Sequence, residues 1–283
     1  MLEAVFWDVQ HGSAAYFKTP NNTHIVQDLG TGSLANGDSS FSPLQHLKSH
    51  YGVAQLDFVI ITHPHRDHLD DIFSFDDLSP RVLLRPKHLT EQEIRDANHD
   101  DGGILDTYFE INNRYNSSVA DEDNPRLSQN NGGVTIQTFI PKNCGRSNLN
   151  NHSVVTVMEY ATSKILIPGD NEPPSWKELL EDAAFCDAIG GVDIFVAPHH
   201  GRESAYHAEL FRYFKPKLTI ISDGPSDTSA VSAYSQASSG WKVHFRDGGA
   251  EERYCLTTRK DGVIVVKFGY NSSEKPFIAV TAG

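Results

Sequence analysis

The sequence predicts an α/β fold in which two mixed β-sheets pack on each other and helices cover their outer faces. Three observations lead to this prediction. Short apolar, β-branched runs recur along the chain and end abruptly in polar residues, as buried strands do. Segments with helical signals lie between these runs, and strand-like segments dominate both ends of the chain.

The strand predictions follow the chain from its start. Apolar and polar residues alternate near the N-terminus, over 4–9, 14–17 and 24–26. Four apolar runs then end in His or Asp next to Gly, Pro or a polar turn, namely 58–61, 164–167, 192–196 and 218–221. Further strands are predicted over 154–159, 241–245, 252–258 and 262–268. Each strand that ends in polar residues delivers them where loops build sites on a rigid sheet.

Helices are predicted over 41–51, 90–98, 104–115, 175–184 and 205–214. Thr90, with Glu93 three residues later, has the pattern of a capping box. A polar loop or insertion is predicted around 88–133, and its part 117–133 is rich in Asn, Asp, Ser and Gly, which is typical of a mobile surface loop. We predict that residues 1–283 form a single domain.

The composition excludes several classes of protein. The chain has 283 residues, a net charge of −13, 39% apolar residues and three cysteines, so a wholly disordered chain and a disulfide framework are both excluded. No apolar run approaches the roughly 20 residues that cross a bilayer, and residues 1–8 do not resemble a signal peptide. We therefore expect a cytoplasmic protein with no membrane partner. The composition does not indicate an oligomeric state.

The strongest local signal is the segment 62–70, which contains an HxHxDH pattern directly after a predicted strand. It places His63, His65, Asp67 and His68 on one tight turn. Imidazole nitrogens and carboxylate oxygens are natural ligands for Zn²⁺, Mn²⁺ or Fe. The alternative is a polar turn in which Asp67 caps a helix, but a cap does not need three neighbouring histidines. Four donors are too many for one open site if others join them, so two metals are the simpler interpretation.

Three more segments supply residues of the same types. His152 precedes a predicted strand, Asp170 follows one, and the pair His199 and His200 follows another. Taken singly, each is also compatible with an ordinary surface histidine or a turn-forming aspartate. Adjacent residues after a strand point in different directions, so the sequence leaves His199 and His200 as alternatives.

These motifs, in this order, resemble the metallo-β-lactamase fold hydrolases. The chain is most similar to the soluble domain of the ComEC-like competence proteins, which handle DNA uptake, and to its stand-alone relatives. The resemblance extends over most of the chain, through the segments 6–14, 28–30, 62–67, 150–153, 167–170, 196–201, 215–217, 222–224 and 257–266. It implies a four-layer αββα sandwich.

The resemblance also implies a dinuclear metal site. One metal would be held by His63, His65 and His152 and the second by Asp67, His68 and His199, with Asp170 bridging both. Two divalent ions, Zn²⁺ or alternatively Mn²⁺, would then activate a bridging water, and Asp67 and Asp170 are the predicted catalytic carboxylates.

The predicted reaction is hydrolysis, and local features favour a phosphodiester substrate. Arg66 lies inside the segment 62–70, which we call the metal loop, and Arg202 follows the segment 199–201. Both are therefore candidates for binding an anionic group, and His11 is a further candidate contact. The alternatives are hydrolysis of a carboxylic ester, thioester, lactone or amide, and a non-catalytic metal-binding regulatory module. The acidic charge favours a nucleotide or a short single-stranded nucleic acid over a long duplex.

Overall fold

The computed structural model describes residues 1–31, 41–98, 103–224 and 229–283. Within these residues, the larger of two sheets has nine strands in the order β12-β11-β15-β14-β1-β2-β3-β4-β5. Its strands are β1 (Leu2–Phe6), β2 (Ala15–Lys18), β3 (His24–Gln27), β4 (Phe58–Ile60), β5 (Val82–Leu84), β11 (Trp241–Phe245), β12 (Ala250–Arg253), β14 (Ile264–Tyr270) and β15 (Pro276–Ala282). It is a mixed sheet, because β3, β4 and β5 are parallel whereas β1 is antiparallel to both β2 and β14.

The smaller sheet has six strands in the described residues, in the order β13-β10-β9-β8-β7-β6. They are β6 (Thr135–Phe139), β7 (Val155–Tyr160), β8 (Ser163–Ile167), β9 (Ile194–Val196), β10 (Leu218–Ile221) and β13 (Cys255–Thr257). Strands β8, β9, β10 and β13 are parallel, and β7 is antiparallel to β8.

The two sheets pack face to face around a shared apolar core. Because side chains alternate between the faces of a strand, Phe58 and Ile60 of β4 point into this core while Val59 points away. In the smaller sheet Ile165 points into the same core and Leu166 away from it. Each strand that lies between two layers is therefore apolar on both faces, which explains its continuous apolar run.

Helices cover the outer face of each sheet. Helices α1 (Pro43–Ser49), α2 (Glu91–Ala97) and α3 (Ile104–Arg114) bury apolar residues in the cluster on the outer face of the larger sheet. Helices α4 (Pro173–Leu180), α5 (Ala183–Ile189) and α6 (Val231–Ala237) do the same on the smaller sheet, and α7 (Thr258–Asp261) is a single turn after β13. This arrangement confirms the predicted four-layer αββα sandwich.

Two helix predictions are wrong in detail. The predicted helix over 175–184 is split between α4 and α5, because Asp182 caps α5 through a 2.8 Å bond from the Ala184 amide. The predicted helix over 205–214 is two short 3₁₀ segments, Glu203–Ala205 and Ala208–Arg212. They are separated by Tyr206 and His207, which have extended backbone.

Strands β5, β6 and β15 are not among the predicted strands. The predicted polar loop 117–133 contains two 3₁₀ turns, Asp121–Asp123 and Ser128–Asn131. The loop is held against the β2–β3 turn, since Asn21 donates to the Asn130 carbonyl at 2.8 Å. Buried Asn131 donates to the Pro125 carbonyl at 2.6 Å.

The directions of the strands bring the candidate metal ligands to one edge of the sandwich. The carboxyl ends of β4, β8, β9 and β10 and the amino end of β7 meet there. The two sheets are joined at this edge by bonds from the Val154 amide to the Thr62 carbonyl, at 2.9 Å, and from Ser222 Oγ to the Gly12 carbonyl, at 2.8 Å. No helix in the described part of the chain is both long enough and apolar enough to cross a membrane.

Candidate metal centre

The metal loop follows β4 as one tight turn. Residues Arg66–His68 form a 3₁₀ helix, closed by a bond from the Leu69 amide to the Arg66 carbonyl at 2.8 Å. The turn aims Asp67 and His68 toward the smaller sheet. His63 and His68 are completely buried, and buried side chains of this kind need hydrogen-bond partners or a bound metal.

The smaller sheet contributes Asp170 after β8 and His199 and His200 after β9. Three successive residues there have left-handed backbone, with φ of 49° at His199, 54° at His200 and 72° at Gly201. Such a run costs free energy for residues with a Cβ, and backbone strain of this kind concentrates at functional sites.

Gly169 makes the approach of the two sheets possible. Its φ is 60°, and a Cβ at this position would lie 2.8 Å from the Cβ atoms of both Thr62 and Ser153. Because Thr62 precedes the metal loop, glycine at 169 allows Asp170 to come close to that loop.

Four side chains converge at this edge. One ligand atom from each of Asp67, His68, Asp170 and His200 lies within 4.8 Å of the other three. His200 Nε2 is 3.0 Å from Asp67 Oδ2 and 3.5 Å from Asp170 Oδ2, and His68 Nε2 is 3.3 Å from Asp170 Oδ1. Tetrahedral ligands about 2.1 Å from one ion lie about 3.4 Å apart, so these spacings suit a single bound cation.

The buried Nε2 atom of His68 makes no hydrogen bond, although Asp170 Oδ1 is near. Its other ring nitrogen, Nδ1, is 2.9 Å from Asp28 Oδ2. Asp28 in turn accepts bonds from the Thr62 amide at 2.7 Å and from the Thr62 hydroxyl. A histidine that gives its Nδ1 proton to a carboxylate presents the Nε2 lone pair, which is the usual arrangement of a metal ligand. The residues therefore fit a metal ion.

A second set of donors also lies near Asp170. His63 Nε2 is 2.9 Å from His65 Nδ1, and both His63 Nε2 and His199 Nε2 are 3.9 Å from Asp170 Oδ2. His199 is oriented by Glu172, whose Oε1 is 3.0 Å from the His199 Nδ1 atom. His200 is oriented in the same way by the Ser222 carbonyl, 3.0 Å from its Nδ1.

The electrostatics match a site for cations. Burial lowers the pKa of His63 well below its ordinary value, and the neighbouring imidazoles lower it further, so this histidine is neutral and able to bind a metal. Burial also acts to lower the pKa of His68, but the Asp170, Asp28 and Asp67 carboxylates outweigh it and raise that pKa. Burial acts to raise the pKa of Asp170, yet the surrounding imidazoles, His68 first, hold it well below its usual range.

His152 lies apart from this group. Its Nδ1 is 3.0 Å from His88 Nε2 and 3.3 Å from the Pro141 carbonyl, and its Nε2 is 3.4 Å from the Gly145 carbonyl. Both ring nitrogens thus face partners outside the metal loop. Of the two adjacent histidines, His200 belongs to the group of four, and His199 belongs to the second set of donors.

The candidate substrate-binding residues differ in their surroundings. Arg66 pairs with Asp70, at 3.2 Å between Nε and Oδ1. The half-buried guanidinium of Arg202 makes no hydrogen bond or ion pair to any residue that the structure describes. His11 lies over the group, with Nε2 3.6 Å from Asp67 Oδ2 and its ring 4.9 Å from that of His200.

Sequence reasoning missed Asp28 and Glu172 as site residues. Asp28 directly follows β3, the parallel neighbour of β4, and Glu172 lies two residues after Asp170. For Asp28 the signal is an acidic residue directly after the strand next to β4, and for Glu172 it is an acidic residue close behind Asp170.

The sequence matches no protein-family model and no curated protein. Solved structures that are similar to this chain include metallo-β-lactamase fold proteins. The metallo-β-lactamase fold protein YhfI from Bacillus subtilis is 14% identical with a TM-score of 0.43, over 80% of this chain and 88% of YhfI. The short form of human tRNase Z is 11% identical with a TM-score of 0.44, over 79% of this chain and 93% of that protein.

Zinc-bound PqqB from Methylobacterium extorquens is 12% identical with a TM-score of 0.40, over 77% of this chain and 76% of PqqB.

Proposed function

We propose that this chain is a metallo-β-lactamase type, metal-dependent hydrolase that cleaves phosphodiester bonds in nucleotides or short single-stranded nucleic acids. The observation that carries the proposal is the convergence of Asp67, His68, Asp170 and His200 around the buried Nε2 atom of His68, which makes no hydrogen bond. Four donors of this kind have no structural need to converge, whereas a hydrolytic metal site requires them.

The proposed ligands form two sets that share Asp170. Asp67, His68 and His200 belong to the first set, and His63, His65 and His199 to the second. In this proposal His199 takes the role that the resemblance implies for His152, and His200 takes the role of His199. Zn²⁺ suits these donors, with Mn²⁺ as the alternative. Divalent ions in such a site polarise the scissile group and lower the pKa of a bound water.

Other residues of the chain orient the histidine rings and bind the substrate. Asp28 and Glu172 fix the rings of His68 and His199, so that the Nε2 atoms face inward. Arg202 supports the choice of a phosphodiester, because its guanidinium has no carboxylate partner among the described residues and fits a phosphate oxygen pair. His11 is the proposed contact on the other side of the opening.

The reaction is tested with purified protein reconstituted separately with Zn²⁺ and with Mn²⁺. We expect turnover of bis-p-nitrophenyl phosphate and of labelled single-stranded DNA, and little turnover of a thioester and lactone panel. Arg202→Ala should raise KM for the phosphodiesters more than it lowers kcat. Absence of phosphodiester turnover with either metal contradicts the proposal, and turnover confined to the thioester and lactone panel would assign the chain to the alternative class.

The ligand sets are tested by metal content, measured by mass spectrometry of the native protein. His200→Ala and His199→Ala should each lower the bound metal, since each removes a donor near Asp170. His152→Ala should retain the wild-type metal content. Exposed His244 on β11 offers a matched control, as His244→Ala removes an imidazole far from Asp170. Loss of metal in His152→Ala with full content in His199→Ala would reverse the assignment.

A further inference from the structure

A cavity of about 630 Å³ runs along the outer edge of β5, between this edge strand and the segment 115–126. Five cationic side chains line it, against one acidic side chain, Asp123. The cationic residues are Arg81, Arg85, Lys87, Arg114 and Arg126. This concentration of positive charge is notable in a chain whose net charge is −13.

Two of these cations are already neutralised. Arg81 pairs with Asp123 at 3.0 Å, and Arg114 pairs with Asp76 at 2.8 Å. Both pairs are exposed, so they contribute little to stability and leave the guanidinium groups near the cavity.

The other three cations have no carboxylate partner among the described residues. Buried Arg85 donates to Asn112 and to the carbonyl of Tyr115, so its charge is fixed in the wall of the cavity. Exposed Lys87 makes one long bond of 3.4 Å to Asn116, and exposed Arg126 makes one bond of 3.2 Å to the Thr138 hydroxyl. Neutral oxygens do not cancel charge, so the cavity has a positive potential.

One end of the cavity lies at the same sheet edge as the metal-type residues. β5 pairs with β4, and the Ile61 amide bonds to the Leu84 carbonyl immediately before the metal loop. Lys87 follows β5, and the next residue, His88, accepts a bond from Arg146 through its carbonyl at 2.6 Å. Arg85 and Lys87, which directly follow β5, therefore lie at the carboxyl end of the strand that pairs with β4, the strand before the metal loop.

We propose that this cavity binds the phosphodiester backbone of a single-stranded nucleic acid whose scissile bond lies at the metal centre. This proposal rests on the proposed function and deepens it. The volume is in the range that encloses one drug-sized ligand, so it takes about one or two nucleotides and excludes a duplex. Ser117, Ser118 and Asn124 add uncharged polar groups to the lining. Arginine and lysine, with such groups, are the usual ligands of nucleic-acid phosphates.

The test uses the metal-loaded protein and a nuclease-resistant phosphorothioate oligothymidylate, with binding followed by fluorescence anisotropy over a range of salt. The variant Lys87→Ala/Arg126→Ala removes the two exposed, unpaired cations without breaking an ion pair. The matched control, Arg246→Ala/Lys275→Ala, removes two exposed charges from the other end of the larger sheet. Thermal unfolding of each variant establishes that the fold is retained.

For single-stranded nucleic acids, the slope of log affinity against log salt concentration becomes shallower by about 0.7 for each phosphate contact that is lost. Wild-type affinity should therefore fall about 7-fold more than that of the cavity variant between about 50 and 200 mM salt. With a cleavable oligothymidylate, KM should rise in the cavity variant and not in the control.

Equal oligonucleotide affinity in the cavity variant and the control overturns the proposal. Wild-type binding of inorganic pyrophosphate at this cavity, without any difference in oligonucleotide binding, overturns it in favour of a small-anion site. The two proposals fail separately: absence of phosphodiester turnover contradicts the proposed function, whereas equal oligonucleotide binding contradicts this site.

Discussion

At the scale of single residues, the candidate centre depends on which ring nitrogen each histidine presents. Asp28, Glu172 and the Ser222 carbonyl each face an Nδ1 atom, of His68, His199 and His200 respectively. This shared arrangement leaves three Nε2 atoms directed at Asp170. The orienting oxygens are therefore as much a part of the centre as the histidines.

Asp28→Asn tests this dependence. The asparagine keeps the size of the side chain and tolerates the left-handed backbone at this position, where φ is 62°. It removes the negative charge beside His68, so we expect metal affinity to fall about 10- to 100-fold. Competition with a coloured chelator measures that affinity. Exposed Asp187→Asn serves as the control, and wild-type affinity in Asp28→Asn would mean that Asp28 does not support the site.

Some residues of the centre could be predicted from the sequence and others could not. The pattern in 63–68 predicted a cluster, and the structure brings these residues together with Asp170. The sequence did not distinguish His199 from His200, because the directions of their side chains depend on the left-handed backbone at both residues. The residue types at these positions do not predict that conformation. His152 contacts His88, which is far away in sequence, so its position does not follow from the residues around it in the chain.

At the scale of elements, the site depends on strands that end together. Parallel strands β8 and β9 place Asp170 and His199 at one edge, and antiparallel β7 begins at that edge. The close approach at this edge needs glycine at 169, where a side chain would contact Thr62 and Ser153.

Gly169→Ala should destabilise the fold by about 2–4 kcal/mol, from the left-handed backbone and from the forced contacts. Urea unfolding followed by circular dichroism measures the change. Gly145→Ala is the matched control, since a Cβ there meets nothing within 4 Å. A free energy of unfolding equal to that of the control would show that the two sheets have room to separate at this edge.

Elements differ in how clearly the sequence predicts them. Strands β4, β8, β9 and β10 were predicted because they are buried on both faces and form short, continuous apolar runs. β6 was missed because only two of its five residues are apolar and they neither form a run nor alternate strictly, and β15 because it starts at Pro276 and is partly exposed. Periodicity detects burial, and these strands are only partly buried.

At the scale of the whole molecule, the candidate centre lies between the two sheets, at the edge where hydrogen bonds also join them. The larger sheet supplies the metal loop, and the smaller sheet supplies Asp170, His199 and His200. A metal bound between them stabilises the folded state, because the unfolded chain does not hold these donors together.

Chelation should therefore lower the thermal unfolding midpoint. A metal present at about 1,000 times its Kd stabilises by about 4 kcal/mol, which for a chain of this size corresponds to roughly 7 °C. Scanning calorimetry before and after treatment with a chelator measures the shift. His200→Ala should show a much smaller shift than wild type, and an equal midpoint with and without chelator would contradict a metal site that bridges the sheets.

The left-handed run at 199–201 has a consequence for the order in which the molecule loses its structure. Its two histidines together cost about 2–4 kcal/mol of conformational free energy, against a total stability of about 5–15 kcal/mol for a typical domain. A segment with that cost opens locally at a lower free energy than the strands beside it. As denaturant rises, the protein should lose the geometry of its histidines while both sheets remain folded.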